Sequence, residues 1–193
     1  MQKRNFLVNS ATVLCATALL LSGCTTTPMS GANTSAKKQE IDTSVNSTLA
    51  RLSSTVPGSR ELVNKARGVL VFPSVLAAGL GIGGEYGEGA LRVGGKTVDY
   101  YSTATASFGL QIGAQSKAVV FVFMTQEALD KFRSSQGWTA GVDASVAVIK
   151  AGANGDVDLN TVTQPVNVFV MTNAGLMANL TVEGTKITKL KMS

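Results

Sequence analysis

Residues 79–89 read Gly-Leu-Gly-Ile-Gly-Gly-Glu-Tyr-Gly-Glu-Gly, so six of these eleven positions are glycine. In a β-strand, side chains alternate between the two faces. One face of such a strand carries five glycines and Glu85, and the opposite face carries Leu80, Ile82 and Tyr86. A strand face with almost no side chains is typical of a bend, a barrel corner or close approach by another element or a ligand. The stretch predicts a strand whose glycines permit tight curvature and close packing, and it leaves Glu85 without an explanation.

The chain on both sides of this stretch is also rich in strand patterns. Gly68 to Phe72 is an apolar run that Pro73 is expected to stop, and Gly94-Gly95 predicts a hairpin turn because both residues can take positive φ. Residues 107–115 repeat the alternation of apolar and small side chains. Short helices are predicted after Ser59 and after Thr125, each acting as a cap. The predicted fold class is α+β, with a twisted, barrel-like antiparallel sheet and two or three helices.

The N-terminus has the features of a bacterial lipoprotein leader. Lys3 and Arg4 precede an apolar run that ends in Leu21-Ser22-Gly23-Cys24. A charged start, an apolar core of this length and small residues before the cut are typical of a secretory signal, and Leu-Ser-Gly-Cys matches the lipobox, in which the cysteine is acylated. The alternatives are an ordinary cysteine after a cleaved signal and an uncleaved anchor.

These features divide the chain into three parts. We predict a signal peptide at residues 1–23, a flexible tether at residues 24–34 that carries an acyl anchor such as palmitate on Cys24, and one domain at residues 35–193. Residue 25 is threonine and not the aspartate that retains such proteins at the inner membrane. By resemblance to the sorting rules of enteric bacteria, we expect a lipid-anchored protein on the periplasmic side of the outer membrane.

Residues 35–53 have apolar side chains at helical spacing, namely Ile41, Val45, Leu49 and Leu52. This spacing predicts an amphipathic helix. Its apolar stripe would pack on the domain core or, alternatively, lie on a membrane surface.

The composition excludes several kinds of site. Histidine is absent, and the cysteines are Cys15, inside the leader, and Cys24. A Ser-His or Cys-His nucleophile and a thiolate or imidazole metal site are therefore excluded, and no disulfide is expected. Carboxylates such as Glu85, Glu88 and Asp143 are the remaining catalytic candidates, and we interpret them as ordinary turn or strand residues. We predict no enzyme activity, no metal and no cofactor.

The balance of charge favours contact with an anionic surface. Without the two basic residues of the leader, 15 basic and 12 acidic residues remain, a net charge of +3. This charge is far from the dense basic surface of a nucleic-acid-binding protein, so no nucleic acid is expected as a partner. Basic residues gathered by the fold beside the glycine-rich face would hold lipid phosphates.

Several segments together resemble the SYLF domain, a lipid-binding domain shared by bacterial envelope lipoproteins and eukaryotic actin-regulating proteins. The resemblance runs from about residue 35 to the C-terminus. The segments that carry it are Lys65-Ala-Arg-Gly-Val-Leu-Val-Phe-Pro73, residues 79–89, Tyr100-Tyr101-Ser102, residues 107–115, residues 143–148 and residues 173–184.

This resemblance implies binding of phosphoinositides or other anionic lipids, and in eukaryotic members also binding and bundling of actin filaments. Lys65 and Arg67 match basic positions of the family pattern, and with Arg92 and Lys96 they are the candidate lipid-binding residues. A secreted lipoprotein would not ordinarily meet actin, so we expect non-catalytic binding of anionic headgroups by a membrane-anchored protein. The alternative is a structural or protein-interaction module of the outer membrane that receives a partner protein on the glycine-rich face.

Overall fold

The computed structural model of this protein describes residues 31–109, 115–149, 162, 164–172, 175–176 and 182–192. The predicted signal peptide, Cys24 and residues 24–30 of the predicted tether lie outside these residues. In the part described, no helix combines the length and the hydropathy of a membrane-spanning segment. The helices there are α1 Gly31–Thr55, α2 Ser59–Lys65 and α3 Gln126–Ser134, and the strands are β1 Gly68–Val93, β2 Lys96–Gly109, β3 Gln115–Phe123, β4 Trp138–Thr139, β5 Val146–Val148, β6 Val166–Thr172, β7 Gly175–Leu176 and β8 Lys186–Lys189.

The strands form one strongly curled, half-barrel sheet of eight strands in the order β4-β8-β2-β1-β3-β6-β5, with β7 paired to β6. All neighbours are antiparallel except β5 and β6, which run parallel. Residues 149–165 separate β5 from β6, which is enough chain for the crossover that a parallel pair requires. The predicted α+β class and barrel-like curl are confirmed, and the sheet is mixed because of this one parallel pair.

Strand β1 is 26 residues long and runs through the centre of the sheet. Its residues 68–77 pair with β3, and its residues 81–93 pair with β2. The register with β3 shifts between Phe72 and Val75, so Pro73 lies at a β-bulge, where its missing N–H is tolerated. Pro73 therefore interrupts the pairing without ending the strand, contrary to the sequence prediction.

The two halves of β1 pack against each other at the glycines. A Cβ atom on Gly89 would overlap the carbonyl oxygen of Val71, and one on Gly87 would lie 2.7 Å from the carbonyl oxygen of Ser74. Only residues without a side chain allow so close an approach of two backbones, which confirms the predicted role of these glycines in close packing. Gly87 and Gly89 are buried, so the alternative of a partner protein received on this face is wrong at these two positions.

Local turn signals are largely confirmed. Gly94 and Gly95 connect β1 to β2 with φ of 57° and 78°, as the predicted hairpin turn requires. Thr125 caps α3 by accepting a hydrogen bond of 3.2 Å from the backbone N–H of Ala128. Ser59 is not the cap of α2, because its buried hydroxyl donates to the carbonyl oxygen of Leu52 instead. The predicted strand 107–115 spans the end of β2 and the start of β3, and its residues 110–114 lie outside the described residues.

An apolar core lies on each face of the sheet. The first core is aromatic and is covered by α3; it contains Phe72, Phe121, Phe123, Phe132 and Trp138, whose rings meet mostly edge to face.

The second core lies under α1 and α2. Ile41, Val45 and Leu52 of α1 are buried there against Val69 and Val71 of β1, so the apolar stripe of α1 packs on the domain. The helix begins four residues before its predicted start, so residues 31–34 of the predicted tether are helical.

Candidate functional site

Glu85, the only side chain on the glycine-rich face, forms an ion pair inside the curl of β1. Its two carboxylate oxygens lie 2.9 Å and 2.7 Å from the Lys117 ammonium, and both side chains are only 13% exposed. Lys117 belongs to β3, beside the first half of β1, whereas Glu85 belongs to the second half. The pair therefore ties together the two halves of the curled strand.

The surroundings of this ion pair leave almost no free space. Thr103, Thr105 and Thr185 line a cavity of about 10 Å³ beside it, which is room for one water molecule at most. The Thr105 and Thr185 hydroxyls lie 3.0 Å apart. A cavity of this size suits a structural polar cluster and not a substrate.

Two of the four predicted lipid-binding residues lie next to the start of β1. Lys65 ends α2 and pairs with Glu61 at 2.6 Å, with 63% and 56% of the two side chains exposed. Arg67 is exposed, and its backbone N–H donates to the carbonyl oxygen of Phe123. An exposed pair within one helix contributes little to stability, so Lys65 can exchange its partner for another anion.

Arg92 and Lys96 flank the β1–β2 turn. Arg92 donates a hydrogen bond of 2.6 Å to the side-chain oxygen of Asn46 on α1, whereas Lys96 is exposed opposite Val93. A Cβ atom placed on Gly68 would lie 3.5 Å from the carbonyl oxygen of Arg92. The structure thus brings Arg67, Arg92 and Lys96 to one end of the sheet, but it engages the Arg92 side chain in holding α1.

Further polar contacts fasten α1 to the sheet. The Asp42 carboxylate accepts hydrogen bonds from the Thr97 hydroxyl at 2.7 Å and the Tyr100 hydroxyl at 2.9 Å. Toward the N-terminal end of α1, the Lys37 ammonium lies 2.8 Å from Glu88. Burial, together with the hydrogen bond to Asp42, raises the pKa of Tyr100 to about 12.

All three tyrosines are expected to ionise above pH 10. Burial raises the pKa of Tyr101 to about 12, and burial with a hydrogen bond to Glu88 raises the pKa of Tyr86 above 10.0. The tyrosines of the unfolded chain therefore lose their phenol protons at a lower pH than those of the folded chain. Their contribution to the free energy of unfolding is complete below pH 10 and is lost as the pH rises toward 12. Tyrosinate absorbance measured against pH checks this, and Tyr100→Phe should remove one late transition. A native titration centred at pH 10 would contradict the expectation.

A groove of about 420 Å³ lies between the N-terminal half of α1 and the outer face of β1. Its apolar lining includes Ile41, Pro73, Leu76 and Tyr86. Leu76 is 57% exposed and Tyr86 52% exposed, which is unusual for such large apolar side chains. The Tyr86 hydroxyl donates to Glu88 at 3.0 Å, which holds the ring beside the groove. We call this surface the α1–β1 groove.

Sequence reasoning missed Leu76 and did not select Tyr86. The alternation of the glycine-rich stretch placed Tyr86 on the apolar face opposite the glycines, and this was the available signal. Whether another element covers that face depends on how far α1 extends along β1, and the residue pattern of β1 alone does not show this.

Within the described residues, no group of three or more potential metal ligands is present.

Comparison with known proteins gives one family. Residues 104–192 match the model of the Ysc84 family, which is described as Las17-binding protein actin regulator. The match runs from the second half of β2 to β8 and confirms the resemblance to the SYLF domain in that part of the chain. No curated protein matches the chain.

Proposed function

Since residues 104–192 of this chain belong to the Ysc84 family, we propose that the protein binds membranes that contain anionic lipids, without catalysis, and that it faces the bilayer with the α1–β1 groove. In this proposal an acyl anchor on Cys24 holds it on the periplasmic side of a bacterial outer membrane. The actin-regulating role in the family's description is not carried over, because a protein in that place does not meet actin.

The observation that carries this proposal is the joint exposure of Leu76 and Tyr86. Large apolar side chains that share one exposed surface mark contacts with a protein or a membrane. Tyrosine in particular suits a membrane interface, since its ring is apolar and its hydroxyl remains in contact with water. Val98 and Val142 are also exposed, but neither lines the α1–β1 groove.

The position of Cys24 supports the same orientation. Six residues lie between Cys24 and Gly31, and an extended chain of this length spans at most about 25 Å. An acyl anchor would therefore keep the first turn of α1 close to the membrane. Lys37, less than two helical turns farther on, already lines the groove.

The expected energies explain why both contacts are needed. Burying the exposed half of a leucine or tyrosine side chain contributes roughly 1 kcal/mol. Two such side chains do not hold a protein on a membrane by themselves, and stable attachment generally takes two signals. The acyl anchor raises the effective concentration of the groove at the bilayer, so the apolar contact then sets the orientation.

The test uses the chain from Thr25 to Ser193, which keeps both cores because their residues lie between Ile41 and Met192. We expect this chain to float with vesicles that contain phosphatidylglycerol or a phosphoinositide, and less with pure phosphatidylcholine or at high salt. Replacing both Leu76 and Tyr86 by serine should lower recovery several-fold. Absence of flotation with every vesicle would refute the proposal.

Val142→Ser is the matched control, because Val142 is 78% exposed but lies outside the groove. It should leave recovery unchanged, and Tyr86→Phe separates the loss of the ring from the loss of the hydrogen bond to Glu88. In cells, the full chain should incorporate labelled palmitate and fractionate with the outer membrane. The Cys24→Ser chain should incorporate none, and equal labelling of both chains would rule out the anchor.

A further inference from the structure

We propose that a cleft between the end of α3 and strand β8 binds an extended, acidic segment of a partner protein, which adds a strand to the edge of the sheet. The cleft, here called the α3–β8 cleft, has a volume of about 440 Å³ and is lined by residues 133–136 and 188–191. It lies on the face of the sheet that α3 covers, opposite the face that carries α1. A protein that turns the α1–β1 groove toward a bilayer therefore offers this cleft to the aqueous phase.

The outer edge of β8 is open along the cleft. β4 pairs with β8 only as far as Ile187, and no other strand of the described residues lies on that side of β8. On the inner side, the N–H of Leu190 donates to the carbonyl oxygen of Tyr100 at 2.9 Å. Backbone groups alternate in direction along a strand, so those of Lys189 and Lys191 point away from β2, toward the cleft. Backbone groups at an open edge are the template onto which a peptide adds as a strand.

The charge of the cleft favours an acidic segment. Its charged lining residues are Arg133, Lys189 and Lys191, and no lining residue is a carboxylate. Lys189 shares its charge with Asp99, which lies 2.6 Å away. In the part of the chain that the structure describes, no ion pair engages Arg133 or Lys191. Two cations therefore remain for carboxylates of a partner, and the planar guanidinium of Arg133 matches the two oxygens of a carboxylate.

These cations lie on one face of the edge. Lys189 and Lys191 alternate with residues of the opposite face, and they share their face with Ile187, which is buried in the core under α3. A partner strand in which acidic residues alternate with others would place its carboxylates on the same face, opposite these cations. Residues 188–191 span about 13 Å of strand, which is room for two carboxylates spaced two residues apart.

The end of α3 leaves Arg133 available for a partner. The hydroxyl groups of Ser134 and Ser135 donate to the carbonyl oxygens of Lys131 and Phe132, at 3.1 Å and 3.0 Å. These are carbonyl groups of the last turn, which a helix leaves without a partner of its own. Because the hydroxyl groups satisfy them, the Arg133 guanidinium is not needed to cap the helix and can face an external carboxylate.

The same charges disfavour a second copy of this chain as the occupant. β8 and the residues after it carry Lys186, Lys189 and Lys191. Two such edges placed side by side would bring like charges together, which destabilises strand pairing. Lysine on an edge strand commonly prevents pairing of this kind. A strand that brings carboxylates instead gains from these lysines, so the charge pattern favours an acidic partner.

The test titrates the chain Thr25 to Ser193 with two short synthetic peptides in solution, without lipid. In the first peptide glutamate alternates with valine. The second has the same sequence with methylated backbone nitrogens, which keeps every charge and removes the donors that an added strand needs. We expect the first peptide to shift the NMR signals of amides in residues 133–136 and 188–191. The methylated peptide should bind at least about tenfold more weakly, because the hydrogen bonds to β8 are lost.

Two double variants of the chain test the charges. Arg133→Gln with Lys191→Gln removes the unpaired cations of the cleft, and Arg60→Gln with Lys96→Gln is the matched control from exposed positions outside it. Both variants lose two positive charges, so they differ only in where the charges are lost. We expect the cleft variant to bind the first peptide about tenfold more weakly than the control does, since it lacks two partly exposed ion pairs.

Each other outcome overturns the inference. Equal binding of the two peptides would show a site for anions in general and no added strand. Equal binding of the first peptide by the two variants, or amide shifts only outside the cleft, would show that the acidic segment binds elsewhere. Absence of binding at millimolar peptide would refute the site outright. None of these measurements uses vesicles, so a failure of flotation refutes the proposed function alone and leaves this inference standing.

Discussion

Replacing Gly89 by alanine is expected to lower the free energy of unfolding by at least about 3 kcal/mol, the upper end of the usual cost of overpacking. The added methyl group would overlap the Val71 carbonyl oxygen and would approach the Phe72 ring to 2.8 Å. The Val71 oxygen belongs to the backbone, so no rotation of a side chain relieves the overlap. The two halves of β1 would have to separate, which would open both cores.

Urea denaturation of the Gly89→Ala and Gly84→Ala chains checks this expectation. Both substitutions add one methyl group to the same strand, but at Gly84 the nearest atom would be the Thr105 carbonyl oxygen at 3.9 Å, an ordinary contact. Gly84→Ala should therefore change stability by less than about 0.5 kcal/mol. Similar stability of the two variants would show that β1 does not pack on itself as described.

Replacing Lys117 by methionine should cost up to about 3 kcal/mol, because it leaves the Glu85 carboxylate, only 13% exposed, without its partner. Methionine keeps most of the aliphatic stem, so the lost charge and not a cavity dominates the effect. Adding Glu85→Gln to Lys117→Met removes the unpaired charge and should restore much of the loss. Thermal unfolding of the single and double variants measures this coupling.

Lys65→Met is the matched control for that cycle. It also removes a lysine from an ion pair, but the Lys65–Glu61 pair is exposed, so its loss should cost no more than about 0.5 kcal/mol. If Lys117→Met were as mild as Lys65→Met, the Glu85–Lys117 pair would not hold the curl of β1.

The elements that the sequence predicted correctly depend on contacts between near neighbours. The Gly94-Gly95 turn is specified by the φ angles of its own two residues, and Thr125 caps α3 through an amide three residues away. The amphipathic stripe of α1 likewise identified its buried face. Pro73 shows the limit of such local signals, because a proline that would end an isolated strand is tolerated at a bulge between long strands.

The roles of individual charged residues were not predictable in the same way. Arg92 is engaged by Asn46, 46 residues earlier, and Glu85 by Lys117, 32 residues later. Arg133 and Lys191 come together because α3 ends beside β8. Their spacing along the chain carries no sign that they line the same cavity, so this juxtaposition could not be predicted from the sequence.

The sequence by itself determined that residues 79–89 form a bare-faced, tightly curved strand, because alternation and the absence of a side chain are properties of each residue. It also determined the resemblance to the SYLF domain. Only the tertiary structure decided that the first half of β1 fills the glycine face at Gly87 and Gly89, that Glu85 there is paired, and that Leu76 and Tyr86 remain exposed. The physical reason is that burial and charge pairing depend on which distant segments cover a residue, and here the curl of β1 determines which segments meet.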